Sequence, residues 1–347
     1  MNKKILSVVS VLGIAIGTMS IAGCGTAKKE PETTRAAESK EIKAKIEVTD
    51  SRGKKVSLDK PAEKIVCLLN SGLNDLEMLG AADRVIGIDA WTYSNEVTYK
   101  ELSKIDSRIA EKKLPAVDDN MEKIVGMNPD LVIIWAQDTE HIKTLESNGI
   151  KVLGVQCDSF EDVDKKMENI GKVVGKEDRA KKIIETKNKM LRSVTEKTSV
   201  IKDADKKTGI FVWGATKLDL AGKRSTTGHK LLELAGVKDA AESINEEHFV
   251  AKMEDVITWN PQTIAMWNIK DLSQEDYYSD SQWKDITAVK AKSVNEISDN
   301  DTFYSDLWTV KYIYGAAYFA KNIYPEQTKD IDLNTFRSDM MKEFYGK

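Results

Sequence analysis

Only three histidines, three cysteines and six prolines occur in 347 residues, and beyond the first two dozen positions no apolar run is long enough to span a bilayer. So little cysteine excludes a disulfide-dense scaffold. With no HExxH and no cysteine pair at zinc spacing, the histidines give a metallohydrolase no ligand set, and no metal site is assigned. GxSxG, a Walker glycine loop and GxGxxG after the first strand are also missing, so acyl transfer, nucleotide hydrolysis and dinucleotide binding lack their usual signs. Nor is there a basic surplus: 52 Lys+Arg face 56 Asp+Glu for a net charge of −4, which argues against nucleic acid as a partner. With 41% hydrophobic and 31% charged residues, the composition is that of a soluble globular chain with enough length for two lobes.

Residues 1–23 differ from everything after them. Lys3 and Lys4 precede an uncharged apolar stretch that runs from Ile5 to the small residues Ala22 and Gly23, the pattern of a secretory signal peptide. Its end, Ile21-Ala22-Gly23-Cys24, resembles the bacterial lipobox, which implies lipidation at Cys24 and a mature chain starting there. Residues 24–42 are small, polar and charged, without apolar periodicity, and read as a flexible tether. The folded part is then expected outside the cytoplasm, anchored to the cell membrane by the N-terminal lipid alone, on a Gram-positive surface or facing a periplasm. Cys67 and Cys157 lie within or at the end of apolar runs and read as buried strand thiols; whether they pair is a question of geometry that sequence leaves open.

Six short aliphatic runs without alternation read as buried parallel strands: residues 65–69, 85–88, 131–135, 152–155, 210–213 and 263–267. Between them lie helical patterns. Phe160, Val163, Met167, Ile170 and Val174 recur at three- and four-residue spacing, with Ser159 as N-cap and Gly175 past the end. A pattern over 176–202 predicts a helix about 40 Å long, more than one small lobe requires. The expected fold is α/β: two Rossmann-like lobes with central parallel sheets, at 43–157 and 207–347, joined through a helical segment at 158–206 that includes one long rigid helix.

The two lobes carry an internal repeat. MEKIVGMNPDLVIIW at 121–135 and MEDVITWNPQTIAMW at 253–267 share Met, Glu, Asn, Pro and Trp, and Gly72–Gly80 echoes Gly228–Gly236 in the same order. Each copy of the stronger repeat reads as a short helix stopped at Asn-Pro, followed by a buried strand ending in Trp135 or Trp267. Ligands gather beyond the carboxyl ends of such strands, so two facing edges make a cleft.

Taken together, the lipobox, VTDSRGKKVSL at 48–58, LGAADRVIGID at 79–89, the two Met-Glu…Asn-Pro repeats and LELAG at 232–236 resemble the class III substrate-binding proteins of ABC importers. The resemblance covers essentially the whole chain after the tether. It implies a monomeric receptor without catalysis or resident cofactor, which carries a metal chelate to a permease dimer driven by a cytoplasmic ATPase. It also implies that Glu122 and Glu254, matching the glutamate each lobe offers to permease arginines, are docking residues. Read without it, both are exposed glutamates favourable to a helix N-terminus.

Trp135 matches a family position where an aromatic ring lines the ligand site, and Trp267 with Asn268 is its internal counterpart. Other residues placed just after strands, or in the loop before the last helices, are Asn70, Ser71, Trp91, Tyr93, Trp213, Phe303, Tyr304 and Trp308. Each has ordinary packing as its alternative. Lys223 and Arg224 are candidates for anionic groups of a ligand, or else a solvated charge pair. His248 is a candidate for ring packing or metal ligation, with a structural role as its alternative. The ligand expected first is an iron–siderophore, then a corrinoid or haem, then an oxyanion such as molybdate. A secreted enzyme or a surface scaffold on the same two lobes remains the reading from a different class.

Overall fold

The computed structural model describes residues 45–117, 120–224 and 228–346. The leader, Cys24 and the tether lie outside the described residues. Among the described residues no helix is long and apolar enough to cross a membrane.

The strands β1 (Ile46–Thr49) and β2 (Lys55–Leu58) form an antiparallel hairpin with Val48 opposite Val56. The carboxylate of Asp50 in its turn accepts from the backbone N–H of Arg52, Lys54 and Gly154, tying the hairpin to the sheet beside it. Then follow β3 (Ile65–Cys67), α1 (Asn70–Met78), β4 (Val85–Asp89), α2 (Glu96–Leu102), β5 (Ala116–Val117), α3 (Met121–Gly126), β6 (Leu131–Trp135) and β7 (Val152–Val155). These strands build a sheet of order β5-β4-β3-β6-β7 in which every pair is parallel. Ile65, Val66, Cys67 and Leu131 to Ile134 are buried, as strands covered on both faces require. Two helices, α4 (Phe160–Val173) and α5 (Glu177–Thr198), lead out of this lobe. Ser159 caps α4 by accepting from the N–H of Asp162.

The second lobe contains β8 (Thr208–Val212), β9 (Asp219–Ala221), α6 (Gly228–Leu234), β10 (Lys238–Asp239), β11 (His248–Val250), α7 (Met253–Trp259), β12 (Thr263–Met266) and β13 (Val294–Glu296). It closes with α8 (Tyr312–Ile323) and α9 (Leu333–Met340). The sheet order is β11-β9-β8-β12-β13, with β10 also paired to β8. β8, β10, β12 and β13 are parallel, which agrees with the expected α/β class, whereas β9 and β11 add an antiparallel edge. Three-residue strands are too short to leave a periodic signal, so that edge was not legible in sequence.

The repeat is visible in three dimensions. β6 and β12 occupy the same place in their sheets, each between the strand that comes first in that sheet's chain order (β3 or β8) and the strand beyond. Asn128 (φ 49°) and Asn260 (φ 38°) end α3 and α7 in the left-handed region. Proline bars its predecessor from the right-handed helix, and asparagine is the non-glycine residue that best tolerates the left-handed alternative. Two residues on, Asp130 Oδ2 accepts from the N–H of Lys64, and Gln262 Oε1 accepts from the N–H of Thr208, so each repeat latches the neighbouring strand in the same way. Gly80 and Gly236, at φ 66° and 82°, close α1 and α6 correspondingly.

Helix α5 joins the lobes. Its 22 residues span about 33 Å, shorter than the sequence pattern suggested, and at its end Thr198 Oγ1 donates to the Leu234 carbonyl. At its start, Arg179 donates to the Met78 carbonyl of the first lobe and to the Glu343 and Phe344 carbonyls near the C-terminus. One apolar core runs through both lobes beneath the cleft, from Met78 and Ile183 to Val194, Leu231, Phe319 and Phe344. Each fully buried Leu, Ile or Phe in it contributes about 1.5–3 kcal/mol. Cys67 and Cys157 are buried and unbridged, and burial pushes their thiols up to about 12 and about 11.

Candidate functional site

A cavity of 540 Å³ lies between the carboxyl edges of the two sheets and is lined from both lobes. Asn70 and Ser71 stand at the N-terminus of α1, three residues past β3; Trp213 follows β8 directly, and Trp267 and Asn268 follow β12. These five residues, expected from strand-end position, therefore meet in one cleft. Trp308 completes the aromatic wall, edge-on to Trp213 at 6.0 Å. A cavity of 390 Å³ between the hairpin turn and α4 lies within one lobe and has no aromatic lining, which makes it the poorer ligand site.

The remaining candidates fall elsewhere. Trp135 is the last residue of β6 and stands behind Trp308, 5.9 Å between ring centroids. His248 is exposed on β11, but one face of its ring is covered by Trp213, stacked at 4.4 Å, and the loss of hydration holds its pKa below the ordinary histidine value. Trp91 is exposed to solvent, away from the lining. The Tyr93 hydroxyl is spent on the Leu114 carbonyl. Phe303 is buried in the core, and Tyr304 packs on Phe303 and Tyr314 beneath Arg337. The turn Thr302–Tyr304 is a 3₁₀ helix, whose three-residue period sends Thr302 and Ser305 to the cleft and the two aromatics away from it. Lys223 and Arg224 form surface ion pairs with Glu242 and Glu246, because the segment after β9 runs beside residues 244–247.

Several cleft residues were not foreseen. Thr98 and Glu101 project from α2, one helical turn apart, with Lys270, Asp306 and Leu307 across from them. The Thr98/Glu101 spacing, with apolar Leu102 beside it, is the signal that marks α2, but a seven-residue helix holding one buried residue leaves almost no amphipathic pattern. Among the described residues Glu101 Oε1 and Ser71 Oγ are buried without a hydrogen-bond partner. Burial pushes the Glu101 carboxyl up to about 7; Lys311 opposes that shift and Asp306 adds to it.

Beneath the cleft floor two buried ammonium groups hold the lobes together. Lys166 of α4 lies 2.8 Å from the Asp75 carboxylate of α1 and donates to the Trp308 carbonyl at 2.6 Å. Lys311 donates to the Phe303 carbonyl and to Asn74 Oδ1, which also accepts from the Tyr345 hydroxyl, while Asn74 Nδ2 donates to the Asn70 carbonyl at the cleft surface. The Trp308 wall is thus set by contacts from the opposite lobe. Among the described residues no group of three or more His, Cys, Asp or Glu side chains is gathered to hold a metal ion.

Glu122 and Glu254 are exposed in the first turns of α3 and α7, at matching points of the repeat. Among the described residues neither carboxylate has a side-chain partner.

Comparison with known proteins bears on this geometry. Residues 65–300 match the family described as periplasmic binding protein. The chain is 26% identical over 327 residues to an uncharacterized ABC transporter substrate-binding lipoprotein, YvrC, of Bacillus subtilis, covering 91% of this chain and 97% of that one. Over 103 residues, 27% of this chain and 32% of its relative, it is 31% identical to the iron(3+)-hydroxamate-binding protein FhuD of the same organism. Among solved structures, the molybdate-bound MolA of Haemophilus influenzae superposes with a TM-score of 0.74 at 19% identity, over 87% of this chain and 98% of that one, which shows a shared fold.

Proposed function

The chain belongs to the periplasmic binding protein family, and from that premise we propose that it is the lipid-anchored, extracytoplasmic receptor of an ABC importer, capturing a metal chelate, foremost an iron–siderophore, without catalysis. The observation that carries this is the interlobe cleft walled by Trp213, Trp267 and Trp308, an apolar surface suited to a bulky ligand rather than a small ion. Relatedness to an iron(3+)-hydroxamate-binding protein supports the same cargo. Any metal arrives inside the ligand, so the protein needs no coordinating cluster of its own. A corrinoid or haem is the next reading on the same wall. An oxyanion, as in MolA, finds less support: among the described residues the cleft lining holds Glu101 and Asp306 against one exposed cation, Lys270, and Lys223 and Arg224 are engaged at the surface.

Delivery is assigned to Glu122 and Glu254. Two exposed carboxylates at equivalent points of two related lobes suit basic sites on a two-fold permease, where charge-assisted bonds fix orientation. The test is intrinsic tryptophan fluorescence of residues 43–347, titrated with ferric siderophores, haemin, cobalamin and molybdate, with calorimetry for absorbing ligands. Saturable one-to-one binding of a ferric chelate, weakened by Trp213→Ala, is expected. Saturation by cobalamin, haemin or molybdate alone replaces the cargo, and silence across the panel removes the receptor reading.

A further inference from the structure

We infer that Glu101, with Ser71 of the same lobe, is a charge-reading subsite through which the receptor prefers cationic and neutral chelates to anionic ones. The inference rests on the chelate-receptor reading above and deepens it by naming the charge class of the cargo.

Three observations carry it. First, Glu101 Oε1 and Ser71 Oγ are buried polar atoms without a hydrogen-bond partner among the described residues, and both side chains line the same cavity. Ser71 is 5% exposed, and its hydroxyl borders the cleft. A buried acceptor left unpaired is costly unless a bound molecule supplies the donor. Second, Glu101 has no ion-pair partner within the protein among the described residues. The nearest buried cation, Lys311, is already committed to the Phe303 carbonyl and Asn74.

Third, the charges facing Glu101 do not reverse its sign. They are Asp306 and Lys270 from the opposite lobe, Lys311 beneath, and Lys104 just after its own helix. Lys270 and Lys104 are exposed and screened by solvent; Lys311 is buried, where loss of hydration holds its pKa below the ordinary lysine value and weakens its positive charge, and Glu101 and Asp306 are partly shielded. A positively charged or N–H-bearing arm of a chelate gains a desolvated partner here, and a carboxylate or catecholate arm meets repulsion. Three hydroxamate groups neutralise a ferric ion, so pendant groups alone set the charge of such a complex; haem propionates and ferric tris-catecholates bring negative charge.

The experiment uses three ferric complexes with the same coordination: ferric desferrioxamine B with its pendant ammonium, the N-acetylated neutral derivative, and the N-succinylated anionic derivative. Each is titrated into wild type, Glu101→Gln and Glu101→Asp by fluorescence quenching, with circular dichroism as the folding control. Expected for wild type at pH 8 is an affinity order of cationic, neutral, anionic, the extremes differing by about tenfold or more. Glu101→Gln should compress that span to within about threefold, and Glu101→Asp should keep the order. In wild type alone, the cationic-to-neutral ratio should fall as pH drops from 8.5 to 5.5 and Glu101 takes up its proton, a readout that needs no variant. Equal affinities in wild type, or an unchanged span in Glu101→Gln, overturn the subsite and leave the receptor standing. Failure of all three complexes to bind wild type strikes the chelate-receptor reading itself.

Discussion

Lys166 and Asp75 form an ion pair of 2.8 Å in which both side chains are 1% exposed, packed between α4 and α1 under the cleft floor. Burial pushes the Asp75 carboxyl up to about 6, even against the lowering pull of the Lys166 ammonium beside it. Burial also works against the charged Lys166, yet the carboxylate beside it holds its pKa above the ordinary lysine value. The lysine has a second task, donating to the Trp308 carbonyl, so a stability element and the aromatic wall share one atom.

Breaking that pair should be expensive. Lys166→Met leaves a buried carboxylate uncompensated and is expected to cost about 3–5 kcal/mol, seen as a lower urea midpoint at unchanged slope. Adding Asp75→Asn should recover part of the loss. Ligand affinity should stay reduced in both variants, because the Trp308 carbonyl has lost its donor.

The tryptophans divide into Trp213, Trp267 and Trp308, which line the cleft, and others that do not, Trp91 among them. Trp213→Ala and Trp308→Ala are each expected to weaken chelate binding by about 10- to 100-fold, as for central aromatic anchors. Trp91→Ala, exposed and outside the cavity, should leave affinity unchanged. Equal effects from all three in a fluorescence or calorimetric titration would contradict the assignment of the wall.

Glu101 exacts a pH-dependent cost. A carboxyl whose folded pKa lies above its unfolded value takes up a proton on folding, so stability without ligand falls as pH rises from 4.5 to about 7. Glu101→Gln removes this and should stabilise the unliganded protein at pH 8 by about 1–2 kcal/mol, less than the full shift implies because the cleft is open to solvent. At pH 4.5 the two proteins should melt alike. A melting-temperature series across this range checks both the sign and the window.

Docking and capture should separate. Glu122→Arg with Glu254→Arg places two cations where permease arginines are proposed to sit, so chelate uptake by cells should be lost while affinity of the purified receptor stays within about twofold. Persistence of uptake in the double variant removes the docking proposal.

The left-handed asparagine ending α3 offers a local test. Asn128→Ala places a methyl-bearing residue at φ 49° and should cost about 1–2 kcal/mol, whereas Asn128→Gly should be close to neutral. Chemical denaturation of the two variants distinguishes them.

Much of this molecule was legible before any coordinates. The unbroken aliphatic runs at 65–69, 131–135 and 263–267 announce buried parallel strands because a strand covered on both faces has no polar side to alternate with. The Asn-Pro repeats located two strand ends, and strand ends located Asn70, Ser71, Trp213, Trp267 and Asn268 in the cleft. Such features depend on neighbours along the chain, whose spacing a sequence states directly.

Other features depend on residues that are far apart in the chain. Phe303 and Tyr304 had the same local credentials as Trp308, but a single 3₁₀ turn sends them toward the core and leaves Thr302 and Ser305 facing the cleft. Glu101 joins the site only because α2 of one lobe comes to face the 302–308 loop of the other. Lys166, Asp75 and Lys311 are lysines and an aspartate that composition alone would assign to solvent. Sequence by itself thus determined the α/β lobes, their repeat and the sheet edges between which the cleft opens, because these follow from short-range periodicity and backbone sterics. The lining of the cleft, and the buried charges that hold its wall, were decided by tertiary structure, because burial and pairing of a charge depend on which distant segment packs against it.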